Sequence, residues 1–126
     1  MNVLIIEDAP LLQRLYVRLL GTMFDPLNVQ TTNNADDAID LLELSLEETP
    51  FDLVISDFNL VGPKTGGDVF SWVKSHAPSL LSRFLFVSGN PDVKELHVHY
   101  LAKPYEVPML RGTIAAMTGV MTRPTT

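Results

Sequence analysis

The chain has 126 residues, a formal net charge of −6, no cysteine and a hydrophobic share of 46%. That length suits one domain with its own core, and the apolar share argues for a folded globule rather than a disordered segment. Without cysteine, disulfide scaffolds, thiolate metal sites and cysteine nucleophiles are excluded. The acidic balance speaks against direct nucleic-acid binding, which needs basic patches. No apolar run reaches the roughly 20 residues of a membrane span, and no secretory signal pattern is visible at the N-terminus. The expected compartment is the cytoplasm.

Val3-Leu4-Ile5-Ile6 is an apolar, β-branched run that reads as a buried strand. Glu7-Asp8 ends it, and Pro10 opens a helix in which Leu11, Leu12, Leu15, Leu19 and Leu20 recur at helical spacing, with Gly21 as the stop. Leu27 to Thr32 alternates weakly and reads as an edge strand. Asn33 or Asn34 caps the next helix, whose stripe is Ala35, Ala38, Ile39, Leu42 and Leu46 and whose acids face outward. Phe51 to Leu60 carries a strand that ends at Asp57, followed by a loop with Gly62, Gly66 and Gly67. Val69, Phe70, Trp72 and Val73 predict a helix to about His76, stopped by Ala77-Pro78; Trp72 reads as packing. Phe84 to Val87 is a further buried strand ending at Ser88-Gly89-Asn90. Pro91 to Leu96 leaves room for two helical turns at most. Val98 to Leu101 is the last strand, and Pro108 opens a helix with Leu110, Ile114 and Met117 inward and Gly119 at its end.

Strands alternating with helices imply a parallel sheet covered on both faces. Right-handed crossovers favour a single flavodoxin-like, doubly wound α/β domain with five strands in the order 2-1-3-4-5. Four to five helices accompany it, the fourth short or absent. The expected division is a domain over residues 1–119 and a flexible tail or start of a linker over 120–126.

An aspartate ending a strand is ordinary turn chemistry by itself. Its company decides its meaning. In this strand order Glu7 and Asp8 lie close to Asp57, and three such carboxylates are costly unless protonated or neutralised. Asp8 can also serve as an N-cap of the first helix. A hard divalent cation with oxygen ligands is the natural partner, Mg²⁺ above all. Ser88 and Lys103 reach the same rim from the fourth and fifth strands. A hydroxyl and an ammonium facing a cation site make sense if a phosphoryl group bridges them. Gly89 leaves its approach open and offers an N–H.

Glu7-Asp8, Asp57, Ser88-Gly89 and Lys103-Pro104, each after its strand, resemble the receiver domain of two-component response regulators over Val3 to about Met117. The resemblance implies that Asp57 is a phosphoacceptor, taking a phosphoryl group from a phosphohistidine on a sensor histidine kinase or histidine phosphotransfer protein. It implies Mg²⁺ held by Asp8, Asp57 and the backbone carbonyl of Asn59, with Glu7 acting through water. Ser88 would be the switch hydroxyl, Tyr100 the aromatic that turns inward behind it, and Lys103 the contact to the phosphoryl oxygens. The Lys103-Pro104 bond is expected to be cis, and Asn59 and Asn90 stand where the family tunes phosphoryl loss. The domain would not be an enzyme beyond self-catalysed phosphoryl transfer and autodephosphorylation. Its output would pass through a downstream protein partner or effector domain.

Two features depart from the family pattern. Val61 and Thr65 stand where that pattern has proline and glycine after the phosphoacceptor, so the loop is longer. Only fourteen residues separate Ser88 from Lys103, too few for a full fourth helix. The symmetric dimer face built on that helix is therefore not expected. Three rival readings are a flavodoxin-like cofactor binder, a haloacid-dehalogenase-like phosphatase, and a receiver-like interaction module that is never phosphorylated. Glu7-Asp8 would repel the first rival's phosphate. The second would want an aspartate where Asn59 stands. The three histidines have no metal-ligand spacing.

Overall fold

The computed structural model describes residues 1–89 and 99–119. Expectations for Asn90, for the short segment Pro91 to Leu96, for Val98 and for 120–126 fall outside them. The strands are β1 (Asn2–Ile6), β2 (Asn28–Thr32), β3 (Leu53–Ser56), β4 (Phe84–Ser88) and β5 (His99–Ala102). All pair in parallel, in the order β2-β1-β3-β4-β5. The helices are α1 (Pro10–Met23), α2 (Ala35–Glu47), α3 (Gly66–His76) and α4 (Val107–Thr118), with a 3-10 helix over Pro78–Arg83 that the sequence reading did not foresee. Among the described residues, no helix is long and apolar enough to cross a membrane.

Side chains alternate across a strand, and here the alternation sorts the core into two layers. Leu4, Ile6, Val54, Phe84 and Phe86 face α2 and α3, with Ala38, Leu42, Val69 and Val73 behind them. Val3, Ile5, Leu53, Ile55, Leu85 and Val87 face α1 and α4, meeting Tyr16, Leu20, Leu110 and Ile114. A strand buried on both faces must be apolar at every position, which is why β1, β3 and β4 read as unbroken runs. β2 lies at the sheet edge and is largely exposed.

Several local expectations are corrected. Gly21 does not end α1, which continues to Met23 with Phe24 closing it. Leu11 is 75% exposed, and the buried face of α1 is Tyr16, Leu19 and Leu20. In α2 the buried row runs through Ala35, Ala38, Leu42 and Ser45, leaving Leu46 exposed; the Ser45 hydroxyl donates to the Leu42 carbonyl, so its burial is compensated. Asp8 does not cap α1; Ala9 holds the cap position without a side-chain bond. Asn34 caps α2, accepting from the Asp37 N–H at 2.8 Å. Trp72 packs partly against the core and stacks on His76. The last helix follows expectation, with Leu110, Ile114 and Met117 buried and Gly119 in the left-handed region at φ 71°.

The loop after β3 is held close to the strand end. Thr65 and Asp68 form a capping box at the start of α3, and the Gly66 N–H donates to the Phe58 carbonyl at 2.7 Å. A Cβ on Gly66 would sit 2.2 Å from the Asp57 carbonyl and 2.9 Å from the Phe86 ring. Gly66→Ala is therefore expected to destabilise the domain by about 1–3 kcal/mol. Gly21→Ala, with open space around its Cβ, should stabilise it by about 0.5–1 kcal/mol. Urea unfolding of the two variants beside the wild type checks both signs.

Candidate functional site

The backbone itself brings the acids together. Register pairs Ile6 with Ser56, so the next residues, Glu7 and Asp57, leave adjacent strands side by side. The Asp57 N–H donates to the Ile6 carbonyl and the Glu7 N–H to the Thr32 carbonyl, both at 2.9 Å. Carboxylate oxygens of Glu7, Asp8 and Asp57 lie within 4.8 Å of one another. Glu7 is 1% exposed and Asp57 8%, whereas Asp8 is exposed.

Lys103 enters from beyond β5. Its backbone N–H donates to the Ser88 carbonyl at 3.0 Å, and the Lys103-Pro104 bond is cis, as expected; Asp25-Pro26 is cis as well. The Lys103 Nζ stands 2.9 Å from Asp57 Oδ2 and 3.4 Å from Glu7 Oε1. Ser88 is fully buried at the end of β4. The half-buried Tyr100 directs its hydroxyl onto the Ser88 carbonyl at 3.1 Å, so that one carbonyl links Ser88, Tyr100 and Lys103. Asn59 is exposed, and its N–H donates to Asp57 Oδ1 at 3.3 Å. Among the described residues a Cβ on Gly89 would meet nothing within 4 Å.

The Glu7 and Asp57 carboxylates share the Lys103 ammonium, with Asp8 beside them, and the electrostatics follow. Burial pushes the Glu7 carboxyl up; Lys103 pulls it down, and Asp57 and Asp8 push it further up, leaving it at about 7 against an ordinary 4.5. For Lys103, burial works against the charged form. The hydrogen bond to Asp57 and the charges of Glu7 and Asp57 outweigh it and hold its pKa above the ordinary lysine value. Lys103 thus stays a cation throughout the physiological range.

Glu7 Oε2 is buried without a hydrogen-bond partner among the described residues. Such an orphan is costly unless something binds it. With Asp8 and Asp57 beside it, the donor set is all hard oxygen, which suits a divalent cation of the Mg²⁺, Mn²⁺ or Ca²⁺ kind. The residues fit such an ion.

Glu7, Asp8, Asp57, Asn59, Ser88, Gly89 and Lys103 lie at this rim. Tyr100 stands two residues before the end of β5 and reaches the Ser88 carbonyl with its hydroxyl, and Asn90 is outside the described residues. Sequence reasoning missed Gln13, whose side-chain amide donates to the Glu7 carbonyl. It also missed Tyr16 and Tyr105, whose hydroxyls meet at 3.1 Å. Tyr16 was detectable, since it lies four residues after Leu12 and three before Leu19, inside the apolar stripe.

No protein-family model matches the chain, and no curated protein matches it significantly. Solved structures do. The chain is similar to a response regulator receiver protein from Sinorhizobium medicae, with 17% identity, 94% of each chain covered and a TM-score of 0.78. It is similar to the Mn(2+)-bound form of the response regulator Rcp1, with 23% identity, 98% of this chain and 99% of that one covered, and a TM-score of 0.76. A third is the phosphorylated cyanobacterial phytochrome response regulator RcpA, with 24% identity, 94% and 89% covered, and a TM-score of 0.71. The fold is that of response regulator receiver domains, and it extends over nearly the whole chain.

The Glu7 pKa has a consequence for stability. The folded protein retains on Glu7 a proton that the unfolded chain releases between pH 4.5 and about 7. Stability tied to this group is therefore full below 4.5, falls across that window and is flat above it, by on the order of 1–3 kcal/mol. In the presence of chelator, Glu7→Gln should raise the urea midpoint at pH 8, and the gain should vanish toward pH 4.5.

Proposed function

We propose that this chain is a phosphoacceptor receiver domain of a two-component or phosphorelay system, with Asp57 taking a phosphoryl group from a phosphohistidine. The observation that carries this reading is the Lys103 ammonium 2.9 Å from Asp57 Oδ2, on a rim that gathers two further carboxylates. A carboxylate oxygen of Asp57 attacks phosphorus in line. The bond from phosphorus to the donor imidazole nitrogen breaks, its electron pair returns to the ring, and an acyl phosphate remains on Asp57. Such transfers depend on positioning and charge neutralisation rather than on covalent help from other groups.

Lys103 pairs with the phosphoryl oxygens as they leave the donor. Asp8, Asp57 and the Asn59 carbonyl would hold Mg²⁺, with Glu7 acting through water. The ion supplies positive charge against the carboxylates and the incoming phosphoryl oxygens. Ser88 is the switch hydroxyl, and Tyr100 follows it through the shared Ser88 carbonyl. Phosphorylation adds charge and acceptor oxygens at the rim, biasing that pair and the surface behind it toward a second arrangement. Asn59, exposed two residues past Asp57, holds the position that in the receiver family tunes phosphoryl loss.

The domain is a stoichiometric acceptor in the cytoplasm, formed by residues 1–119. Its partners are a sensor kinase or phosphotransfer protein on one side and a downstream protein or effector domain on the other.

Incubation with acetyl phosphate and Mg²⁺, followed by intact-mass analysis, should show one added phosphoryl group on the wild type. Asp57→Asn should lose it, and Lys103→Ala should slow it by about 100-fold or more. Equal labelling of Asp57→Asn would overturn the assignment. An unlabelled wild type would favour the unphosphorylated interaction module.

A further inference from the structure

Past Lys103 the chain runs over the surface into α4. Pro104, Glu106 and Val107 are exposed, and Tyr105 is the residue of this stretch that turns back toward the body of the domain. Its hydroxyl donates to the Tyr16 hydroxyl at 3.1 Å. Tyr16 is 1% exposed and packs in the α1 face of the core. Beside this contact an open groove of about 460 Å³ separates α1 from the loop, lined by Leu12, Leu15, Pro104 and Val107 among others. Tyr105 also packs against the α1 face of the core, so the loop is fastened to α1 at this tyrosine, with the groove opening beside it.

α1 is itself tied to the site. Gln13, one helical turn before Tyr16, donates from its side chain to the Glu7 carbonyl. The Glu7 carboxylate in turn accepts from Lys103. The contacts close a ring from Glu7 through Gln13, Tyr16 and Tyr105 to Lys103 and back. We propose that Tyr16 and Tyr105 are positioning residues for the Lys103 ammonium. The hydroxyl pair clamps the β5–α4 loop onto α1 and so fixes where Nζ meets Asp57.

The physical need is clear. A lysine side chain is flexible and its ammonium is a point charge without fork geometry, so its placement depends on where the backbone holds its root. The Ser88 carbonyl holds that root on the β4 side, and the tyrosine pair holds the following loop on the α1 side. Displacements of about 1 Å can cost on the order of 100-fold in rate. This inference rests on the phosphoacceptor reading and deepens it.

The test uses Tyr16→Phe, Tyr105→Phe and the double variant, with three readouts: phosphorylation rate with acetyl phosphate and Mg²⁺, urea stability, and the NMR signal of the Lys103 ammonium. Tyr105→Phe leaves the buried Tyr16 hydroxyl without its partner, and Tyr16→Phe does the same to the half-buried Tyr105 hydroxyl; both should lose stability, the first more, with a rate about tenfold lower. The double variant removes both hydroxyls and should regain stability while its rate stays low. The Lys103 ammonium signal should shift in all three. Removing a separate tie between α1 and α4, Arg111 to Thr22 at 2.7 Å, by Thr22→Val should leave rate and signal unchanged. A rate that recovers together with stability in the double variant would reduce the pair to a structural contact, as would an unmoved Lys103 signal. That signal needs no phosphoryl group. It decides the brace even if the wild type takes none, an outcome that would sink the phosphoacceptor reading alone.

Discussion

The repulsion among three carboxylates at the ends of β1 and β3 is the constraint around which the rest of this molecule is arranged. Parallel neighbours stand about 4.8 Å apart, so acids that leave two adjacent strands in register cannot avoid each other. Burial sharpens the conflict by removing water from Glu7 and Asp57. Among the described residues a single ammonium, Lys103, offsets part of it and leaves Glu7 Oε2 without a partner. The rim is thus unsatisfied in one particular sense: it lacks positive charge. That deficit suits a divalent cation, and the ammonium beside it suits a transferred anionic group.

Placing Lys103 takes more of the fold than placing the acids. Glu7 and Asp57 follow from one strand pair, but Lys103 acts across β4 from beyond β5. Its root is held through the Ser88 carbonyl, which also receives the Tyr100 hydroxyl. The two-layer core keeps this framework stiff. On one face Phe70, Phe84 and Phe86 pack ring against ring at 4.9–5.9 Å. On the other, α1 and α4 close over Ile5, Ile55 and Leu85. Gly66 seats α3 directly on the Asp57 backbone, so the loop after Asp57 is coupled to the same core.

Helical faces were legible in outline and wrong at their margins. Leu11 shares a row with Leu15 and Arg18, and that row is the border of the stripe, where an apolar residue can lie in solvent. Leu46 was chosen for its side chain, yet the helix geometry buries Ser45, whose hydroxyl finds its partner one turn back. Gly21 looks like a stop, but a glycine near a helix end is tolerated when packing continues beyond it. Tyr16 was passed over because leucines dominate the pattern around it. Hydrophobic period shows which residues share a face; it does not show how wide the buried part of that face is.

Residue order alone was enough for the five strands, their sequence in the sheet, and the placing of Glu7, Asp8, Asp57, Ser88 and Lys103 on one rim. Each follows from local pattern combined with the handedness of crossovers. The contacts among them were decided only by the folded chain. Residues 7 and 103 meet at 3.4 Å because three strand pairings set their relative height, and no local pattern encodes that sum. The same holds for the orphaned oxygen of Glu7 and for the hydroxyl pair of Tyr16 and Tyr105. Both are products of long-range packing, where burial and partner are fixed together.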